Sequence, residues 1–481
     1  MKPGRKFFTA GEAADTAGGV LFSPLGPDAP MTQNFSADSR NVKPGDGFIA
    51  IRGAREDGHD YIASAADSGA SCVILESGYY AAHSERLKGY KTALIAVRDP
   101  QDAACAIARA WLCEVSPRVI GITGSVGKTT TRGFIYDALR KKFRAHAAIK
   151  SYNTLIGVSM TIMSMPGDTE ALVLELGTNH PGEIGSLVRQ FPVTYGIITE
   201  VADAHLEGLG DINGVLAAKM EIAESPSLEY LSYNSDNDML SAAVASMPEG
   251  EKMKKGGVRQ IGVGYSNSRV RISDVRQRLD PSFRPVMSFT LAADGNRLNC
   301  EVPIFGRQHA KNIAFAWAAS RQMGIGDEDF LDAASRFRLQ AGRGVFIRAG
   351  GGSLIIDETY NSNPSSVSCA IKNVLEMEIP RNFKKAAILG GMRELGAAGA
   401  CCHDVVLSRA SLLDCVYLVG REWREANLKG DFLKGVWDST DDLLTDIDAS
   451  HFSQSVILIK GSRFYGLERA IPVLGGECNG S

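Results

Sequence analysis

The chain has 481 residues, 44% of them hydrophobic and 22% charged, with a formal net charge of -3. That length exceeds one ordinary core and predicts about three domains of roughly 100 to 200 residues each. The balanced charge implies neither a nucleic-acid partner nor a membrane surface, and no stretch approaches the ~18 apolar residues of a membrane span.

The N-terminus carries Lys2, Arg5 and Lys6 but runs into Glu12 and Asp15, leaving no uninterrupted apolar region for a signal peptide. From Gly47 to Val115, short apolar runs (GFIAI, SCVILES, TALIAV) alternate with the helical patterns YIASAADSGA and PQDAACAIARAWLCEV, which predicts a small α/β domain. A second strand-helix alternation starts at Arg118, with strands VIGIT, ALVLEL and YGIIT. Between Arg269 and Val302 the runs RVRISDV, MSFTLAA and RLNCEVPI, the last two joined by a tight Asp294-Gly295 turn, predict a small antiparallel patch attached to the central domain. The basic group Lys252, Lys254 and Lys255 reads as a solvated loop.

Ala310 to Met323 is predicted as a helix, and Gln340 to Gly344 as a linker. Beyond it SLIID, AAILGG, CVYLVG and SVILIKG are short, continuously apolar strands, the pattern of parallel strands covered on both faces. After Pro364, Val367, Ala370, Ile371, Val374 and Leu375 form the stripe of a core-facing helix. The predicted domains are 1–115, 116–340 and 341–481. The nine cysteines include no CxxC pair, which favours reduced thiols in a cytoplasmic protein. The vicinal pair Cys401 and Cys402 reads as incidental.

The strongest chemical signal is a strand that runs into Gly124, Ser125, Val126, Gly127, Lys128, Thr129 and Thr130 and then into a helix. Glycines let backbone N–H groups approach phosphate oxygens, the helix start adds a favourable dipole, and Lys128 adds a point charge. Thr129 is placed to offer its hydroxyl oxygen to Mg²⁺. The loop is a short GxxGKT, since Ile122 stands where a longer phosphate loop has its first glycine. A plain glycine turn would not need Lys and Thr directly after the second glycine. Glu175, at the end of ALVLEL, is a carboxylate where a metal would want one.

The segments TGSVGKTTT, LELGTNHPGEI, AHLEGLG and AAKMEI, in that order, resemble the central ATPase domain of Mur ligases. SADSRNVKPGDGFIAIRGAREDGHDYI resembles their UDP-binding N-terminal domain, and GRQHAKNIAFAWAAS, AGRG, IIDETYNSNPSS, LGGMRELG and ILIKGSR resemble the remainder. The likeness covers nearly the whole chain. It implies an α/β fold of three domains, with a central P-loop ATPase domain and a C-terminal Rossmann-like domain. ETYNSNP with MRELG followed by His403 points to the dipeptide-adding branch of the family. The expected substrates are then ATP with Mg²⁺, UDP-N-acetylmuramoyl-tripeptide and D-alanyl-D-alanine. The expected enzyme is a cytoplasmic monomer of peptidoglycan precursor synthesis. Departures from the family pattern fall at Gly391, at Glu358 and at the pair Gln308-His309.

By the resemblance, Ser39 and Arg40 belong to a uridine site, and Asn153, Thr154 and His180 face the UDP-muramoyl peptide. Asn312 meets adenine, while Arg343, Asp357 and Tyr360 complete the nucleotide site. Glu175, His205 and Lys219 join Lys128 as the catalytic set. Thr129, Glu175, His205 and Lys219 form the metal set, with Lys219 carbamylated. Outside that context His205 would be an ordinary core or surface histidine, Lys219 a surface partner of Glu221 or Glu224, and Tyr360-Asn361 a turn before Pro364. Two rival readings are a Mur-like ligase acting on another carboxylate and a nucleotide-binding regulator without ligase chemistry. The uridine-type N-terminal segment opposes the first, and Glu175, His205 and Lys219 together oppose the second.

Overall fold

A computed structural model describes residues 6–53, 56–148, 151–247, 257–266, 268–393, 395–396, 399–425 and 430–476. Lys2, Arg5, the basic group at 252–255 and Glu394 of MRELG lie outside them. The protein is α/β, with three mixed sheets. The first contains β1 (Val20–Phe22), β2 (Phe35–Ser36), β3 (Gly47–Ile49), β4 (Cys72–Glu76) and β5 (Ala93–Val97) in the order β1-β5-β4-β3-β2, parallel except for β1. Its middle strands read as unbroken apolar runs because alternate residues feed two cores. Ile49, Ile74 and Ile95 meet the helix Pro100–Val115, while Phe48, Val73 and Leu94 pack on the opposite side. That helix starts where Asp99 accepts hydrogen bonds from the backbone N–H groups of Gln101 and Asp102. Its buried Trp111 donates Nε1–H to Met165 O at 2.9 Å, which ties the first sheet to the second.

The second sheet is built from β6 (Arg118–Thr123), β7 (Ala145–Ala147), β8 (Ala171–Glu175), β9 (Tyr195–Ile198), β10 (Tyr230–Asn234), β11 (Arg259–Gly264), β12 (Val270–Leu279), β13 (Pro285–Ala293) and β14 (Asn296–Val302). Their order is β14-β13-β12-β11-β10-β9-β6-β8-β7. The antiparallel patch expected from the sequence is therefore not a separate appendage. β12 pairs in parallel with β11, and β12 to β14 extend the central sheet. The turn between β13 and β14 has Asp294 and Gly295 both left-handed, at φ 50° and 82°, the geometry a two-residue hairpin requires.

The third sheet takes β15 (Val345–Arg348), β16 (Leu354–Glu358), β17 (Lys384–Gly390), β18 (Cys415–Val419), β19 (Leu433–Trp437) and β20 (Ser455–Lys460) in the order β15-β16-β20-β17-β18-β19. β15 is antiparallel to β16, and the other pairings are parallel. The helix Pro364–Glu376 buries Val367, Ala370, Ile371 and Val374, with Leu375 at the edge of the same core. Among the described residues no helix is long and apolar enough to cross a membrane. Loops leaving the C-terminal ends of β6 and β9 face loops leaving β16, β17 and β20 across one cleft, the place where open parallel sheets gather ligands.

Candidate active site

The turn from β6 into the helix Lys128–Leu139 needs glycine at two positions. Gly124 has φ 142° and Gly127 φ 89°. A Cβ on Gly124 would lie 2.1 Å from Thr199 Oγ1, and one on Gly127 would lie 2.8 Å from Asn312 Oδ1. The loop is stapled to the end of β9. Ser125 N–H donates to Glu200 O at 2.8 Å, and Thr199 Oγ1 donates to Val126 O at 2.6 Å. The Lys128 ammonium folds back onto Gly124 O. Burial lowers its pKa, with Arg343 pushing the same way and Glu175 opposing.

Thr129 is the meeting point of the site. Its hydroxyl lies 3.0 Å from Glu175 Oε2, and Arg343 Nη2 donates to it at 3.1 Å from the linker. The Arg343 guanidinium sits 4.0 Å over the ring of Tyr360, whose hydroxyl donates to Ser151 Oγ at 3.2 Å. Beneath them Arg132 Nη1 pairs with Glu175 Oε2 at 3.5 Å, both side chains being 2% exposed. Arg132 and Ser151 were missed in the sequence. The available signal was a charged residue one helical turn after Lys128, surrounded by residues that face the core.

Lys219, expected at this site by the resemblance, has an unusual setting for a lysine. Its side chain is 1% exposed, and its Nζ has no hydrogen-bond partner among the described residues. Burial, then the charge of Lys128, lower its pKa to about 7. His205 opens a short helix in the left-handed conformation, at φ 57°. Burial, then Lys128 and Lys219, bring its pKa down to about 4. Lys128, Lys219 and His205 thus share one electrostatic neighbourhood.

The other expected residues divide. Asn312 lies against the phosphate loop, its Nδ2 turned to Nδ1 of His309 at 3.3 Å. Burial holds that histidine near pKa 4, hence neutral and able to accept. Asp357 is engaged locally, accepting from Gly342 N–H at 2.8 Å and Thr359 Oγ1 at 2.7 Å, so it shapes the linker turn that presents Arg343. Asn153 accepts from Gly177 N–H at 2.8 Å through its carbonyl, and Thr154 caps the helix Leu155–Met163. His180 is exposed on the loop after β8, which Glu183 fixes by accepting from Asn179 N–H at 2.7 Å. Ser39 and Arg40 stand apart in the first sheet's domain, where Arg40 pairs with its neighbour Asp38 at 2.8 Å.

The departures at Gly391 and Glu358 also have a visible setting. A Cβ at Gly391 would lie 2.8 Å from both Glu422 Oε2 and Tyr465 Oη, so the glycine makes room for a carboxylate arriving from the loop after β18. Glu358 is paired with the buried Lys460 at 2.9 Å, and Lys460 also donates to Asn361 O at 3.0 Å, which fixes the loop after β16.

The glycine loop, its lysine and threonine, the strand-end Glu175 and the arginine reaching in from the linker make a nucleotide-phosphate site. The chain belongs to the Mur ligase family: the model of the Mur ligase middle domain matches residues 122–320, and that of the Mur ligase family catalytic domain matches residues 32–111. Within the family it is similar to the UDP-N-acetylmuramoyl-tripeptide--D-alanyl-D-alanine ligase of Bacillus subtilis, 29% identical over 96% of this chain and 97% of that protein. The structure of MurF ligase from Thermotoga maritima in complex with ADP superposes with a TM-score of 0.74 at 25% identity, over 92% of this chain and 97% of that one. MurF from Acinetobacter baumannii shares the fold, with a TM-score of 0.79 at 24% identity over 97% and 98% of the two chains.

The buried pair generates a stability prediction. Arg132→Met leaves Glu175 buried without its cation and is expected to cost about 3–5 kcal/mol. Adding Glu175→Gln should recover part of that loss, as read by denaturant unfolding of the single and double variants. Simple additivity of the two single losses would show that the ion pair is not the stabilising contact.

Proposed function

We propose that this chain adds D-alanyl-D-alanine to the terminal carboxylate of UDP-N-acetylmuramoyl-tripeptide, using ATP, as a cytoplasmic monomeric enzyme of peptidoglycan precursor synthesis. The observation that carries the reading is the Thr129–Glu175–Arg343 meeting point, which joins the phosphate loop to the linker beside a cleft walled by the third sheet. The boundaries at 115/116 and 340/341 remain our domain division.

In this reading ATP transfers its terminal phosphoryl group to the carboxylate oxygen. The dipeptide amine then forms the amide bond and phosphate leaves with the carboxylate oxygen. The protein's part is positioning and charge. Lys128 and Arg343 offset the negative charge of the transferred phosphoryl group, and the glycine loop holds the nucleotide. The third sheet's loops close off water that would hydrolyse an acyl phosphate. Ser39 and Arg40 take the uridine end of the substrate, and Asn153, Thr154 and His180 its peptide end. Asn312, Asp357 and Tyr360 complete the nucleotide site.

Among the described residues no three His, Cys, Asp and Glu side chains form a preformed metal cage. The donors present are hard oxygens, the Thr129 hydroxyl and the Glu175 carboxylate, and they suit Mg²⁺, which binds through few protein ligands plus phosphates and waters. Mg²⁺ would there neutralise phosphate charge. The orphaned Lys219 amine fits a carbamate. A lysine with pKa near 7 has neutral amine available to bond to CO₂ with loss of a proton. The product would carry oxygen ligands near His205.

Two outcomes test the reading. ADP release is expected only when UDP-N-acetylmuramoyl-tripeptide and D-alanyl-D-alanine are both present. Efficient turnover of a substrate lacking the uridine moiety, or of glutamate as amine, would move the chain to a different Mur-like ligase. Lys219→Ala should lose activity and regain part of it with short-chain carboxylic acids, which return the missing oxygens. Full activity of that variant in CO₂-depleted buffer without any addition would contradict the carbamate.

A further inference from the structure

Resting on the ligase reading above, we propose that Arg393 binds the free C-terminal carboxylate of the incoming dipeptide and so selects an acid over a blocked amine substrate. Arg393 follows β17 and lines the cleft opposite Ser125 of the phosphate loop and His205. The site is built by topology. β17 and β20 are neighbours, but the helix after β17 packs on one face of the sheet through Val406 and Leu407, and the helix after β20 packs on the other through Ile471. A crevice therefore opens at their C-terminal ends.

Within it the guanidinium lies 4.1 Å over the ring of Phe464, from the loop after β20. Phe464 is 70% exposed, which is unusual for a large aromatic residue, and it serves as a plate that orients the guanidinium edge. Among the described residues no carboxylate pairs with Arg393. The nearby Glu422 carboxylate accepts from the Tyr465 hydroxyl at 2.5 Å.

A planar guanidinium with open donors, fixed on an aromatic ring, matches a carboxylate bidentately. A dipeptide anchored there by its C-terminus would direct its amine across the cleft toward the phosphate loop. That is the end at which the activated carboxylate must be presented. Sequence reading gave Arg393 no role, because it sits in MRELG as one charged residue among several.

The test is steady-state kinetics of the full-length protein with D-alanyl-D-alanine and with its C-terminal amide. The wild-type protein is expected to favour the free acid by roughly 10- to 100-fold in kcat/KM, the range of a charge-assisted contact. Arg393→Met should raise KM for the acid by a similar factor and erase the acid-over-amide preference, with KM for ATP unchanged, whereas Arg393→Lys should keep part of it. A preference that survives in Arg393→Met overturns the proposal, as does a loss that falls equally on KM for ATP. Absence of turnover of either dipeptide by the wild-type protein would instead overturn the ligase reading on which the proposal rests.

Discussion

The site depends on one contact, the Arg343 guanidinium resting on the Thr129 hydroxyl. A hydroxyl has one proton to give, and here the Glu175 carboxylate is its acceptor, which leaves the oxygen lone pairs for Arg343. The linker reaches that point because Gly342 and Gly344, at φ 78° and 95°, turn the chain sharply and Asp357 ties down the Gly342 N–H. Tyr360 then stacks on the arginine and reaches Ser151 beside the phosphate loop. Residues from two sheets thus converge on one oxygen, and the cleft follows from that convergence.

Charge in the cleft is arranged ahead of any ligand. Lys128, Lys219 and His205 are each held below their ordinary pKa, with burial the largest cause in every case. Lowered pKa values mean that burial favours the uncharged forms of these groups in the free protein. Incoming negative charge restores the charged form of a buried lysine such as Lys128, and fixed groups need not reorganise when that charge arrives. Perturbed groups cluster where function does. Here Lys128, Lys219 and His205 are perturbed together beside the phosphate loop.

Strands that are buried on both faces were legible in the sequence, because neither face needs polar residues. β4, β5, β8, β17 and β20 fall within or next to their apolar runs. β1, β2 and β7 are only two or three residues long, too short for any periodicity, and β19 is interrupted by Lys434 and Gly435. The antiparallel hairpins were visible, but their continuation of the central sheet was not, since the β11–β12 pairing is set by tertiary contact. In the site, Lys128, Thr129 and Glu175 were readable from spacing and strand position. Arg132 and Arg393 were not, because a charge is given meaning by what it is buried against or left without.

In the proposed reaction the substrate carboxylate is phosphorylated before the amide forms. Turnover of UDP-N-acetylmuramoyl-tripeptide labelled with ¹⁸O in its terminal carboxylate measures this directly by mass analysis of the released phosphate. One labelled oxygen is expected in phosphate for each amide formed. Phosphate released without label, alongside normal amide formation, would contradict it.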